Sequence, residues 1–184
     1  MNSKQLTKRS KFLSLVLRHR PEKIDIELDQ NGWVKVDVLL KAMEQYGNSL
    51  TLDELKDVVK TNNKKRFAFS EDGKKIRASQ GHSVKIDLAL DPIKPPSRLF
   101  HGTAQSSLKY IKTEGLLKGG RQHVHLSFDE ITARKVGSRH GKPVVLNIDA
   151  REMHDDGFEF FMSANEVWLT DHVPPQYIID WNFE

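Results

Sequence analysis

Leu99-Phe100-His101-Gly102-Thr103 is answered, some twenty residues on, by Gly119-Gly120-Arg121-Gln122-His123-Val124-His125-Leu126-Ser127. Each is a short apolar run carrying a His beside small or hydroxyl residues, a pattern suited to strand ends that open into a pocket for a polar ligand. Such strands need partners. Val144–Ile148, Phe158–Phe161, Val167–Leu169 and Tyr177–Trp181 read as further strands. Between them the pattern predicts a helix from Gln105 to Glu114, closed by Gly115, and a second containing Ala133 and Val136. The second opens on an apparent capping box, Ser127-Phe128-Asp129-Glu130. Short strands with one or two early helices predict a compact α+β domain with a split sheet. The regular βαβ content is too low for a doubly wound fold, and no Gly-x-Gly-x-x-Gly fingerprint is present.

Upstream the elements change. Leu6, Phe12, Leu13, Val16 and Leu17 recur at helical spacing and predict a helix from about Thr7 to Arg18, ended by Pro21. Ile26-Glu27-Leu28 alternates like a strand, Asn31-Gly32 turns, and Trp33-Val34 continues beyond it. Asp37 is placed to cap a helix carrying Val38, Leu39, Leu40 and Met43, stopped near Gly47. Thr51-Leu52-Asp53-Glu54 reads as a capping box for a third helix with Leu55, Val58 and Val59. Residues 66–70 and 75–77 flank the turn Glu71-Asp72-Gly73 as a β-hairpin with basic residues at its strand ends. This element order is that of a winged-helix unit. Gly81-His82-Ser83, the apolar segment after it and the proline-rich stretch Asp91–Pro96 read together as a connector, giving units at 1–90 and 91–184.

Composition bounds the class. With 38% hydrophobic and 29% charged residues the chain is an ordinary globular one. No apolar run approaches a bilayer span and the N-terminus has no apolar signal-peptide core, so a cytoplasmic location with no membrane partner is expected. The absence of cysteine excludes disulfides, thiolate nucleophiles and Cys-based zinc sites. Charge is unevenly spread: residues 1–80 hold 17 Lys and Arg against 11 Asp and Glu, and residues 81–184 hold 12 against 14. A basic first half suits a polyanion such as nucleic acid, although a surplus of this size is also what a solvated face carries.

Arg18-His19-Arg20 ends the first helix, where cations complement the helix dipole and where Arg and His together can also grip a phosphate and move a proton. Arg66 and Arg121 are candidates for the same anion, since a guanidinium fork matches phosphoryl oxygens. His123 and His125 share one face of a strand, a spacing that metal sites use, but no third ligand stands at an obvious spacing and no metal is expected. Ser106-Ser107 and the scattered carboxylates form no hydrolase triad. Arg139-His140-Gly141 reads equally as a pocket loop or a solvated turn.

These residues carry a family resemblance. The run from Ser10 to Pro21, Lys65-Arg66-Phe67, Gly81-His82-Ser83, Leu99–Thr103, Val124–Ser127, Ala133–Gly137 with Arg139-His140-Gly141, and Val167–Thr170 resemble the motifs of the NAD-dependent RNA 2′-phosphotransferases, in the right order and over nearly the whole chain. The resemblance implies a winged-helix RNA-binding lobe joined to an ADP-ribosyltransferase-like lobe. It implies an enzyme of tRNA processing whose partners are RNA bearing a 2′-phosphate and NAD⁺, the latter consumed as a co-substrate, with no obligate protein partner. An internal RNA 2′-phosphate attacks the nicotinamide ribose carbon, releasing nicotinamide and leaving RNA-2′-phospho-ADP-ribose. The ribose 2″-hydroxyl then attacks phosphorus, giving 2′-hydroxyl RNA and ADP-ribose 1″,2″-cyclic phosphate.

By the same resemblance Arg18, His19, Arg66 and Arg121 are the catalytic set. His101, Gly102 and Thr103, then His125, Ser127, Arg134, Arg139 and Val167, fall on the NAD side. Val167 stands where protein-modifying relatives place Glu; an anionic phosphate needs no carboxylate to activate it. The resemblance expects glycine at 166, where this chain has Glu166, a residue expected to face the other side of its strand. Two alternatives stand beside this reading: an ADP-ribosyltransferase acting on terminal phosphates of RNA or DNA, and a non-catalytic winged-helix nucleic-acid-binding protein.

Overall fold

The computed structural model describes residues 3–183. The chain divides into two units, Met1–Ala89 and Leu90–Glu184, each with its own core. Its mixture of helices with antiparallel strands is α+β. Among the described residues no helix is long and apolar enough to cross a membrane.

In the first unit α1 (Ser3–Arg18) starts earlier than its apolar spacing indicates and ends at Arg18, where Pro21 opens a 3₁₀ turn to Ile24. Leu13, Val16 and Leu17 are fully buried, so one face of α1 anchors the core. β1 (Val34–Lys35), α2 (Val36–Gln45), α3 (Leu52–Lys60), β2 (Phe67–Phe69) and β3 (Lys75–Ala78) follow. The strands form one antiparallel sheet in the order β1-β3-β2. Thr51 and Glu54 make the reciprocal capping box: the Thr51 hydroxyl accepts from the Glu54 N–H at 3.2 Å and the Glu54 carboxylate from the Thr51 N–H at 3.0 Å.

Two expectations fail here. Ile26–Leu28 is irregular, with Ile26 N–H bonded back to Pro21 O and, among the described residues, no partner strand; its alternation reflects burial of Ile26 and packing of the half-buried Leu28 against the core. Asp37 does not cap α2. The helix already begins at Val36, whose N–H is taken by Lys74 O, and Asp37 sits inside the first turn.

The second unit contains β4 (Arg98–Ala104), α4 (Leu108–Glu114), β5 (Leu116–Leu117), β6 (Val124–Leu126), α5 (Glu130–Gly137), β7 (Pro143–Asp149), α6 (Ala150–Asp155), β8 (Phe160–Met162), β9 (Trp168–Thr170), β10 (His172–Val173) and β11 (Ile178–Phe183). Two three-stranded antiparallel sheets, β11-β7-β4 and β6-β9-β8, accompany the pair β10-β5. Val144, Val145 and Leu146 of β7 are buried in succession, as in a strand covered on both faces. A backbone bridge joins the two larger sheets, where Phe100 and Ser127 exchange hydrogen bonds at 2.9 and 2.7 Å.

That bridge explains a misreading. Ser127 does not open a capping box, because its backbone is committed to Phe100; Asp129 caps α5 instead, accepting from the Thr132 N–H at 2.7 Å. Gln105–Ser107 is a separate 3₁₀ turn ahead of α4, and α6, β5 and β10 carry no periodic signal in so few residues. The strand expected from Phe158 begins only at Phe160, and that expected from Tyr177 only at Ile178. Glu166 lies not on a strand face but in the turn before β9, with φ of 62°.

Candidate functional site

In the first unit the helix positions the predicted cations. Ser10, Ser14 and Arg18 recur every four residues and so line one stripe of α1. Opposite them the chain leaving α3 brings Asn62, Lys64 and Arg66 to the other wall of a groove of about 580 Å³. Its charged residues are Lys11, Arg18, Lys64 and Arg66, its polar ones are hydroxyls and amides, and no carboxylate lines it. The Arg18 guanidinium donates to Arg66 O at 3.3 Å. Arg66 donates to Asn62 Oδ1 at 3.4 Å, and Asn62 donates to Ser10 Oγ at 2.8 Å. Asn62 was missed in the sequence, where an Asn after a helix reads as turn chemistry; the fourfold spacing of Ser10, Ser14 and Arg18 was the signal available.

His19 is exposed one residue beyond Arg18, and its Nδ1 lies 2.9 Å from Ser83 Oγ. His82, its neighbour in sequence to Ser83, is 2% exposed. Burial, reinforced by the charges of Arg18, His19 and Arg77, depresses its pKa to about 4 and keeps the ring neutral. A larger groove of about 1170 Å³ lies beneath the β2–β3 hairpin. It mixes Lys35, Lys74 and Lys75 with Asp37, Glu71 and Asp72, and contains none of the predicted site residues.

In the second unit the meeting of the two sheets gathers the other candidates. His101 on β4 donates from Nδ1 to the carbonyl oxygen of His125 on β6 at 2.9 Å. A carbonyl only accepts, so the proton is on Nδ1 and Nε2 is the acceptor of the neutral ring. Burial holds the His101 pKa below its ordinary value, with Arg121 and His140 adding to the effect against the opposing bond to His125. Arg121 donates to His125 Nδ1 at 2.8 Å, which puts the His125 ring proton on Nε2. Arg121, expected at the RNA phosphate, is thus bonded to a ring that the resemblance expects on the NAD side.

Gly102 is buried under α5, and a Cβ there would stand 1.6 Å from Ala133 O. Thr103 is buried beside it, Arg134 sits on α5, and Arg139 is exposed just past that helix. Val167 precedes β9, its N–H bonded to Ser163 Oγ at 3.1 Å. His123 turns toward Phe161, with ring centroids 5.8 Å apart. Among the described residues no group of three or more His, Cys, Asp or Glu is placed to hold a metal ion.

Fold and geometry define an α+β protein with a groove lined by cations in one unit and an imidazole–arginine cluster at a sheet junction in the other. Comparison with known proteins names the class more closely. Residues 4–172 match the model of the RNA 2′-phosphotransferase, Tpt1 / KptA family. A protein of Hahella chejuensis is 53% identical over 175 residues, covering 95% of this chain and 94% of its own. One from Rhodopirellula baltica is 54% identical over 176 residues, covering 95% and 96%, and one from Acaryochloris marina is 53% identical over 176, covering 96% and 97%. All three bear the name probable RNA 2′-phosphotransferase. The chain belongs to the RNA 2′-phosphotransferase family and is a transferase.

Proposed function

We propose that this protein removes an internal RNA 2′-phosphate by transferring it to NAD⁺, in the two steps the resemblance implies. The first unit acts as a winged-helix RNA-binding lobe and the second as an ADP-ribosyltransferase-like lobe whose split sheet handles NAD⁺. The observation that carries the reading is the groove of the first unit: cations from two elements, Arg18 and Arg66 among them, with no carboxylate to oppose a polyanion.

In this reading Arg18, Arg66 and Arg121 hold the oxygens of the RNA phosphate and stabilise charge on them while phosphorus is attacked. His19 supplies a proton to the departing RNA 2′-oxygen. The donor chemistry of the sheet junction fits a dinucleotide: arginines for its diphosphate, and imidazole, hydroxyl and backbone groups for its riboses. His101, Gly102, Thr103, His125, Ser127, Arg134, Arg139 and Val167 are assigned to it, His101 and His125 with the tautomers given above. Gly102 serves by letting α5 approach β4, so its contribution is to the shape of the site. With Val167 rather than a carboxylate ahead of β9, the anionic RNA phosphate meets no like charge from that position.

The test is incubation of the purified protein with NAD⁺ and a short RNA carrying one internal 2′-phosphate, following RNA and nucleotide by mass. Loss of phosphate from the RNA together with ADP-ribose cyclic phosphate is the expected result. A persistent ADP-ribosylated RNA would replace this reading with phosphate ADP-ribosylation, and unchanged NAD⁺ and RNA would leave a binding protein.

A further inference from the structure

The turn carrying His19 is closed by a segment to which the mechanism above gives no role. Gly81, at φ of 83°, swings the chain back toward the end of α1. There Ser83 N–H and Val84 N–H both bond to Arg18 O, at 2.9 and 3.3 Å, satisfying a carbonyl that the helix end leaves open. His82 plugs the interior behind this turn, 2% exposed, against Gly32, where an added Cβ would stand 3.4 Å from its Nε2. The Ser83 backbone is thus locked to the residue preceding His19. Its exposed side chain contributes nothing to that lock, yet its hydroxyl lies 2.9 Å from His19 Nδ1.

We propose that Ser83 is the positioning residue of His19, holding the ring by Nδ1 in both of its protonation states and so assigning proton exchange with the RNA to Nε2. The inference rests on the function proposed above. A hydroxyl is both donor and acceptor. Its oxygen accepts from Nδ1–H in the imidazolium and in the neutral ring alike, which leaves Nε2 as the atom that gives up the proton and takes it back. A carboxylate in its place would only accept, favour the imidazolium and hold the proton back. Beside His19 in the chain stand Arg18 and Arg20, the latter paired with Glu22 at 3.1 Å, and His82, whose pKa the His19 charge helps to lower, is neutral by burial.

The step served is the second. The ribose 2″-oxygen bonds to phosphorus as the bond from phosphorus to the RNA 2′-oxygen breaks, and that oxygen leaves with the electron pair. It takes a proton from His19 Nε2, the 2″-hydroxyl proton passes to solvent, and solvent restores the proton to His19. The first step needs no such proton, because its nucleophile is already an anion.

Ser83→Ala, Ser83→Thr and Ser83→Asp in the full-length protein test this, with single-turnover formation and decay of the RNA-phospho-ADP-ribose adduct measured beside NMR titration of the His19 ring. Ser83→Ala is expected to slow adduct decay about tenfold, the size of effect a lost hydrogen bond of this kind produces, and to leave adduct formation unchanged. Ser83→Thr restores decay, and Ser83→Asp moves the His19 titration and the alkaline limb of decay upward together. Wild-type decay and an unaltered ring titration in Ser83→Ala overturn the proposal. Should the wild-type protein show no turnover, the functional reading falls, and the ring titration by itself decides whether Ser83 holds His19.

Discussion

His82 shows what one buried side chain can do to the stability of its unit. Its ring is neutral in the folded state, with a pKa near 4 against an ordinary 6.5, because burial and the nearby cations disfavour the imidazolium. Between those values the unfolded chain binds the proton and the folded chain does not, so folding stability falls as pH drops from about 6.5 and levels off below about 4. At pH 5 the loss from this residue is roughly 2 kcal/mol. Urea unfolding at pH 7 and pH 5 measures it, and His82→Gln flattens the difference; equal slopes in the two proteins would remove His82 as the cause. Glu166 is a second case. At φ of 62° it occupies the left-handed region, which costs a residue with a Cβ about 1 kcal/mol relative to glycine. Glu166→Gly is expected to raise unfolding stability by about that amount, read as a higher urea midpoint at unchanged slope. The sequence flagged this position only through the resemblance; its conformation depends on the turn from Ser163, whose hydroxyl and carbonyl are bonded to Val167 and Glu166 N–H groups.

At the scale of elements, the approach of α5 to β4 sets the second unit. Gly102 and Gly137 face each other across it: a Cβ on Gly102 would meet Ala133 O at 1.6 Å, and one on Gly137 would meet Thr103 O at 2.8 Å. The obstacles are backbone atoms, which no rotamer change can move. Gly102→Ala therefore pushes α5 outward and is expected to destabilise the protein by about 3 kcal/mol, seen as a fall in Tm; a Tm within a degree of wild type would show that the helix can yield. Which elements could be read from sequence follows from reach. The box of Thr51 and Glu54 and the hairpin turn at Glu71–Gly73 are made by residues within a few positions of one another, and both were legible. The same pattern at Ser127 misled, because strand pairing with Phe100 claims the backbone that a cap requires. Asp37 misled for a similar reason: Lys74 O, from the hairpin, takes the Val36 N–H and sets where α2 begins.

Over the whole molecule the uneven charge becomes a binding property. Under the proposed function the groove of Lys11, Arg18, Lys64 and Arg66 engages RNA phosphates, and each neutralised phosphate of a single strand contributes a log–log salt slope of about −0.7. Four contacts give about −3, so affinity for a short 2′-phosphorylated RNA is expected to fall roughly 50-fold between 50 and 200 mM salt. Fluorescence anisotropy measures this, and the double variant Lys11→Ala, Lys64→Ala should make the slope shallower by about 1.4. A slope unaffected by those changes would place the RNA elsewhere on the protein.

The sequence by itself determined the order of most elements, the capping box of α3, the hairpin, the concentration of positive charge before residue 81 and, through its motifs, the family. These are properties of composition or of residues a few positions apart, and local hydrogen bonds and hydrophobic periodicity are enough to express them. Only the tertiary structure decided that Arg66 reaches the Ser10–Arg18 stripe of α1 through Asn62, that Arg121 holds the His125 ring while His101 holds its carbonyl, and that Ser83 meets His19. Asn62 reaches Ser10 across 52 residues, His101 reaches His125 across 24 and Ser83 reaches His19 across 64, so strand register and helix packing fix those contacts and no short window of sequence contains both partners. Asn62 with Arg66 and Arg121 with His125 lie four residues apart, but outside any helix, where no regular period signals the pairing.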